Sequence, residues 1–164
     1  MLKAMSTCET TYFGILEYDT SSIVEFPEGL PGFEHLRKFV LIDRSDLKPL
    51  AFMQSLEARE VCFLTVPAPA IVPGYQVELT EEQRILDVPR RPAIGSDVQC
   101  LVIVTLRESG PTVNLLAPVV IDLKTLRAVQ AVMPESDYSY QHPLGEPVET
   151  RAAQMACAGR QAEN

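Results

Sequence analysis

The sequence predicts a mostly β protein, a compact, highly curved, antiparallel, barrel-like single domain with one short helix. Three observations carry this prediction. Short segments of branched and aromatic residues recur at hairpin-like spacing, which is typical of sandwiches and barrels. Thirteen prolines against eight glycines indicate short elements separated by stiff turns. The 164 residues, 46% of them hydrophobic, suffice for one domain with its own core.

The strand pattern runs through most of the chain. Segment 98–106 is almost continuously apolar, which indicates a central strand. Segment 75–79 alternates apolar and polar residues cleanly, as a half-buried strand does. The nine predicted strands are residues 11–17, 22–26, 38–43, 50–54, 61–66, 75–79, 98–106, 113–123 and 126–133.

One short helix is predicted over residues 81–88. Thr80 and Gln83 have the spacing of a capping box, in which the threonine hydroxyl accepts from a first-turn N–H and the glutamine reaches back. Pro89 should end the helix, because a residue that precedes proline avoids the α conformation.

The loop FPEGLPGF at residues 26–33 alternates rigid and permissive residues, namely Pro27, Gly29, Pro31 and Gly32. Such a loop fixes a tight path between two strands, because proline presets φ and glycine tolerates positive φ. We therefore predict a structural role for these four residues.

Two further apolar stretches contain proline. Residues 66–74 hold three prolines, which exclude a central strand. Pro118 interrupts the run 113–123 and indicates an edge or a bulge. We interpret Asn114, in the same run, as a residue that satisfies backbone groups beside this bulge.

The chain is predicted to form one folded domain over residues 1–145 and a disordered tail over 146–164, because strand periodicity ends after Leu144. No basic-then-apolar leader opens the sequence, and none of the four cysteines has C-x-x-C spacing. These features favour the reducing cytoplasm.

The formal net charge is −8. Such a surface repels phosphate backbones and anionic lipids, so neither direct nucleic-acid binding nor membrane binding is expected. A basic protein partner is electrostatically apt, although the charge is equally well explained by solubility.

The residues that could carry chemistry are sparse. His35 and His142 have no neighbours at metal-ligand spacing, and no glycine-rich phosphate loop or nucleophile elbow is present. We therefore predict no catalytic residue, no metal and no cofactor, and a protein that is not an enzyme. An alternative remains, in which a small β-barrel oxidoreductase binds the phosphate of a flavin or nucleotide through Arg90, Arg91 and Arg107.

Five segments, in this order, resemble the flagellar assembly factor FliW family. They are YFG at 12–14, FPEGLPGF at 26–33, QSLE at 54–57, NLLAPVVI at 114–121 and HPL at 142–144. The resemblance covers about residues 10–145. The family often has a tryptophan before the Leu-Gln-Ser step, where this chain has Phe52-Met53.

The resemblance implies a non-enzymatic, β-barrel-like protein, expected to be a monomer when free. It implies two protein partners, the translational repressor CsrA and flagellin. Binding to CsrA would relieve its repression of flagellin mRNA, and flagellin would compete for the same pool. A flagellin chaperone without a link to CsrA is a further possibility.

We predict a partner surface over residues 71–82. Its apolar part would be Ile71, Val72 and Tyr75, since amphipathic segments such as the flagellin termini need an apolar groove. Its acidic rim would be Glu78, Glu81 and Glu82. The alternative is that the apolar loop folds back on the core as a lid.

Overall fold

The computed structural model describes residues 4–80 and 85–144, which form eleven strands, one α-helix and two short 3-10 helices at Thr20–Ser22 and Ser45–Leu47. The predictions for the tail at 146–164 and for Glu81 and Glu82 lie outside these residues. The strands are β1 Met5–Thr10, β2 Gly14–Asp19, β3 Val24–Glu25, β4 Lys38–Asp43, β5 Ala51–Ser55, β6 Cys62–Pro67, β7 Val98–Arg107, β8 Gly110–Val113, β9 Val119–Asp122, β10 Ala128–Gln130 and β11 His142–Pro143, and the α-helix is α1 Ala68–Ile71.

One long antiparallel sheet dominates, in the order β10-β9-β7-β6-β5-β4-β3. Its longest strand, β7, pairs with β9 along its first half and with β8 along its second, and β8 continues to β11. The sheet curls until β3, at one end, meets the residues that directly precede β10, at the other, where the Glu25 N–H donates to the Leu126 carbonyl at 3.0 Å. The predicted mostly β, highly curved fold is confirmed. β1 and β2 form a separate two-stranded hairpin.

The sheet buries apolar side chains on both faces. These side chains form two core clusters. Along β7, Cys100 and Val102 lie in the first core cluster, whereas Leu101 lies in the second. Successive side chains of a strand point to opposite faces, so a strand buried on both faces needs apolar residues at every position. This explains why 98–106 is the most apolar run of the sequence.

The loop at residues 26–33 seals the second cluster. Phe26 and Leu30 are buried there, and the loop is closed by hydrogen bonds from Gly29 N–H to the Phe26 carbonyl at 3.0 Å and from Phe33 N–H to the Leu30 carbonyl at 2.7 Å. Gly29 has φ +69° and lies against the backbone of Glu34. The loop is therefore a packed part of the core.

The position predicted for the short helix is wrong over the residues described. Residues 85–88 form turns and bends, while 81–84 lie outside the description. The α-helix is instead α1, in the apolar proline-containing segment, with proline in its first turn. Proline is tolerated there because the first helical N–H groups have no intrahelical partner in any case.

Segment 75–79 is not a strand, although its alternation is real. Tyr75, Val77 and Leu79 are buried, yet no ladder forms. The segment's backbone N–H groups donate outside any strand, that of Gln76 to the Tyr138 hydroxyl and that of Leu79 to the Arg90 carbonyl. Alternation predicts which side chains are buried, but a strand also needs a neighbour that is itself extended.

Other strand boundaries also differ from the prediction, since the strands expected at 11–17 and 22–26 are Gly14–Asp19 and Val24–Glu25. Met5–Thr10 was not predicted as a strand; its polar residues pair with β2, at the edge of the fold. The run 113–123 breaks after Val113 and resumes at Val119. Pro118 lies in the break and is buried, and its carbonyl accepts from the Ala131 N–H at 2.8 Å.

Candidate functional site

A cleft with a volume of about 1140 Å³ opens between segments 75–80, 90–94 and 132–138. All three segments lie outside the strands of the sheet. Their backbone groups are therefore held by side chains and turns rather than by a ladder, which leaves room for a concave surface at this end of the fold.

A stacked aromatic pair forms the base of the cleft. The rings of Tyr75 and Tyr138 lie 4.5 Å apart at an interplanar angle of 29°. The Tyr75 hydroxyl donates to the Leu115 carbonyl at 2.5 Å, and the Tyr138 hydroxyl accepts from the Gln76 N–H at 3.0 Å. Burial, followed by the nearby Cys100 and Tyr138, raises the pKa of Tyr75, so its hydroxyl remains a donor at neutral pH.

The first wall of the cleft, formed by residues 75–80 and 90–94, carries an ion-pair cluster. The Glu78 carboxylate accepts from Arg90 at 2.7 Å and from Arg91 at 3.3 Å, and its side chain is 42% exposed. Exposed pairs of this kind contribute about 0–1 kcal/mol each to stability. Their main consequence here is electrostatic, because two cations and one carboxylate make the described part of this wall net positive.

The predicted partner residues fall into three groups. Ile71 and Val72 are half-buried and pack against the first core cluster. Tyr75 is 4% exposed. Glu78 lines the cleft, while Glu81 and Glu82 lie outside the described residues. Most of the apolar loop thus rests on the core, as the lid alternative expects. The partner role of these residues stays a prediction.

Asn114 is exposed, and its side-chain carbonyl accepts from the Leu116 N–H at 2.9 Å. This hydrogen bond lies in the break between β8 and β9, the place where an amide was expected to satisfy backbone groups. Asparagine suits such a turn because its side chain can bond to the backbone two residues further on.

The three arginines of the alternative phosphate site are not brought together. Arg90 and Arg91 share Glu78 in the cleft, whereas Arg107 ends β7 opposite Gly110 and does not line the cleft. Among residues 4–80 and 85–144, no group of three or more His, Cys, Asp or Glu side chains is placed to hold a metal ion. No helix in that part of the chain is long and apolar enough to span a membrane.

The sequence prediction missed the second wall of the cleft, at 132–138. The end of the predicted strand 126–133 extended into it, although β10 ends at Gln130. The stretch from Pro134 to Ser139 is rich in proline, acidic residues and serine, and this composition is a loop signal. It could have revealed a loop, but not the cleft that the loop faces.

Two thiols on the strands of the sheet, those of Cys62 and Cys100, should make the fold sensitive to alkaline pH. Burial raises the pKa of Cys62 and of Cys100 from 9.0 to about 12. Unfolded thiols ionise near pH 9 while the folded ones keep their protons, so this stability is complete below pH 9 and is lost as pH rises toward 12. We expect a loss of about 1 kcal/mol per thiol by about pH 10.

Denaturant unfolding at about pH 8 and pH 10 measures this effect. Cys100→Ala should reduce the pH dependence of the free energy of unfolding by the contribution of one thiol. Cys8→Ala is the matched control, because Cys8 is less buried. Equal pH dependence of the wild type and Cys100→Ala would contradict the prediction.

Comparisons with known proteins point to one family. The model of the family described as FliW protein matches residues 7–144. The chain is 32% identical over 141 residues to the flagellar assembly factor FliW of Syntrophomonas wolfei subsp. wolfei, covering 85% of this chain and 89% of that protein. It is 30% identical over 139 residues to the flagellar assembly factor FliW of Bacillus subtilis strain 168, covering 83% and 94%. A crystal structure of the flagellar assembly factor FliW matches with a TM-score of 0.70 and 27% identity, over 87% of this chain and 99% of that one.

Proposed function

The chain belongs to the FliW family of flagellar assembly factors, and we propose that it works as a non-enzymatic, cytoplasmic binding protein that exchanges two protein partners, CsrA and flagellin. Binding to CsrA would relieve repression of flagellin mRNA. Binding to flagellin would withdraw the protein from CsrA and act as a chaperone for flagellin.

The observation that carries this proposal is the extent of the family match. It covers residues 7–144, almost all of the described fold, including both segments that form the base of the cleft. The net charge of −8 supports a partner that is basic in part, as an RNA-binding repressor must be. The cleft supplies a concave surface for an amphipathic segment.

Partner exchange in this scheme follows mass action. The ratio of bound to free protein for each partner equals the free concentration of that partner divided by its dissociation constant. Secretion of flagellin would lower free flagellin and release the protein to CsrA. No rearrangement of the sheet is required for this exchange.

The test is a titration of the purified full-length protein with purified CsrA and with purified flagellin, followed by competition between the two. We expect saturable binding of each and displacement of CsrA by flagellin. Binding of neither protein would contradict the proposal. Binding of flagellin alone would leave a chaperone role without regulation of translation. Flavin absorbance in the purified protein would instead support the oxidoreductase alternative.

The predicted acidic rim gives a first variant. Glu78→Lys with Glu81→Lys should weaken CsrA binding strongly, because reversed rim charges repel a basic partner and slow association. The change at Glu78, whose side chain is 42% exposed, should affect folding little, since surface substitutions usually shift stability by no more than about 0.5 kcal/mol. The lost pairs of Glu78 with Arg90 and Arg91 add at most about 1 kcal/mol each. Affinity by calorimetry and the melting midpoint of the same sample decide, and unchanged affinity would place the surface elsewhere.

A further inference from the structure

The described residues on the two walls of the cleft differ in charge, and this difference indicates how a charged partner would lie in the cleft. On the first wall Glu78 is neutralised by Arg90 and Arg91. On the second wall Glu135 and Asp137 are exposed, and neither forms an ion pair with another described residue. Among the described residues that line the cleft, the carboxylates without an ion pair are therefore those of the second wall.

The second wall is held in place by its backbone. The Met133 N–H donates to the Leu116 carbonyl at 2.7 Å, and the Ser136 N–H donates to the Met133 carbonyl at 3.1 Å. At the far end, the Tyr138 ring stacks on buried Tyr75. The two carboxylates are thus displayed from an anchored turn, so little conformational entropy is lost when a partner binds them.

The same wall also offers apolar surface. Val132 lines the cleft and is 47% exposed, whereas its neighbour Met133 is 9% exposed and fixes the segment to the core. An exposed apolar side chain beside two carboxylates matches a segment that carries both basic and apolar side chains. A purely basic segment would leave Val132 uncovered, and a purely apolar one would bury the carboxylates without partners.

We propose that the cleft binds a basic, amphipathic segment of the repressor partner, with the basic side chains on Glu135 and Asp137 and an apolar side chain on Val132. This inference rests on the proposed function and names the wall that serves it. The reverse orientation would place the basic side chains against Arg90 and Arg91, where like charges repel.

The experiment compares two double variants of the full-length protein with the same change in net charge. Glu135→Lys with Asp137→Lys alters the second wall. The control, Glu17→Lys with Glu108→Lys, alters two exposed carboxylates on β2 and in the turn between β7 and β8, which do not line the cleft. Affinity for purified CsrA and for purified flagellin is measured at low and at high salt, with melting midpoints to establish folding.

The second-wall variant should bind CsrA at least about tenfold more weakly than the control variant, since rim charge reversal acts on the local contact. The difference should shrink at about 1 M salt, where screening is nearly complete beyond roughly 3 Å. Glu135→Gln with Asp137→Asn should show the same direction with a smaller loss, and it serves if the charge-reversed protein does not fold.

Three outcomes overturn the assignment. Equal losses in the second-wall and control variants would show that only net charge matters, and loss of flagellin binding with CsrA binding intact would assign the wall to the other partner. If the wild type itself binds neither protein, the proposed function fails, and this inference fails with it.

Discussion

Gly29→Ala is expected to destabilise the protein by about 3 kcal/mol or more, and Gly32→Ala, in the same loop, by only about 1–2 kcal/mol. Both glycines have positive φ, +69° and +85°, and left-handed backbone costs a residue with a Cβ about 1–2 kcal/mol. At Gly29 the added Cβ would also lie 2.5 Å from the Cα of Glu34, whereas at Gly32 it would meet nothing within 4 Å.

The clash at Gly29 cannot be relieved by a rotamer change, because the contacted atoms are backbone. The loop must shift, and with it Phe26 and Leu30, which are buried in the second core cluster. Forced shifts of packed groups cost typically about 1–3 kcal/mol, in addition to the conformational cost. Denaturant unfolding of the two variants and the wild type measures both effects, and equal destabilisation would show that the loop can move away from Glu34.

The regular part of the fold was predictable because burial imposes simple periods. β4 matches its predicted range, and β5, β6 and β7 match within one or two residues. The helix, over its described residues 85–88, and the strand at 75–79 were wrong because their signals are local. The alternation at Tyr75, Val77 and Leu79 indicates burial rather than pairing.

The candidate site was less predictable, because it joins segments about 60 residues apart in sequence. No local pattern shows that Glu78 pairs with Arg90 and Arg91, or that Tyr138 stacks on Tyr75. The resemblance to the FliW family predicted the partners, but it assigned no residue to the surface that binds them. The charge assignment of the cleft therefore needed the structure, since it depends on which carboxylates are already paired.

The last prediction tests whether Tyr75 supports the cleft or contacts the partner directly. Tyr75→Ala should destabilise the protein by about 3–5 kcal/mol, the usual result of removing a buried aromatic ring. Tyr75→Phe should cost about 1–3 kcal/mol, because the buried Leu115 carbonyl loses the donor it has at 2.5 Å. Tyr140→Ala is the matched control, since that ring is 64% exposed, and its stability should change by no more than about 0.5 kcal/mol.

Binding separates the two roles of Tyr75. Tyr75→Phe keeps the ring and its stack on Tyr138, so a supporting role predicts a lower melting midpoint with unchanged affinity for CsrA and flagellin at a temperature where the variant is folded. A direct contact through the hydroxyl would lower affinity as well. The hydroxyl is already committed to Leu115, and the ring is 4% exposed, so a partner would have to break the hydrogen bond to reach it. A drop in affinity with an unchanged melting midpoint would show that the apolar loop opens on binding and that Tyr75 belongs to the partner surface after all.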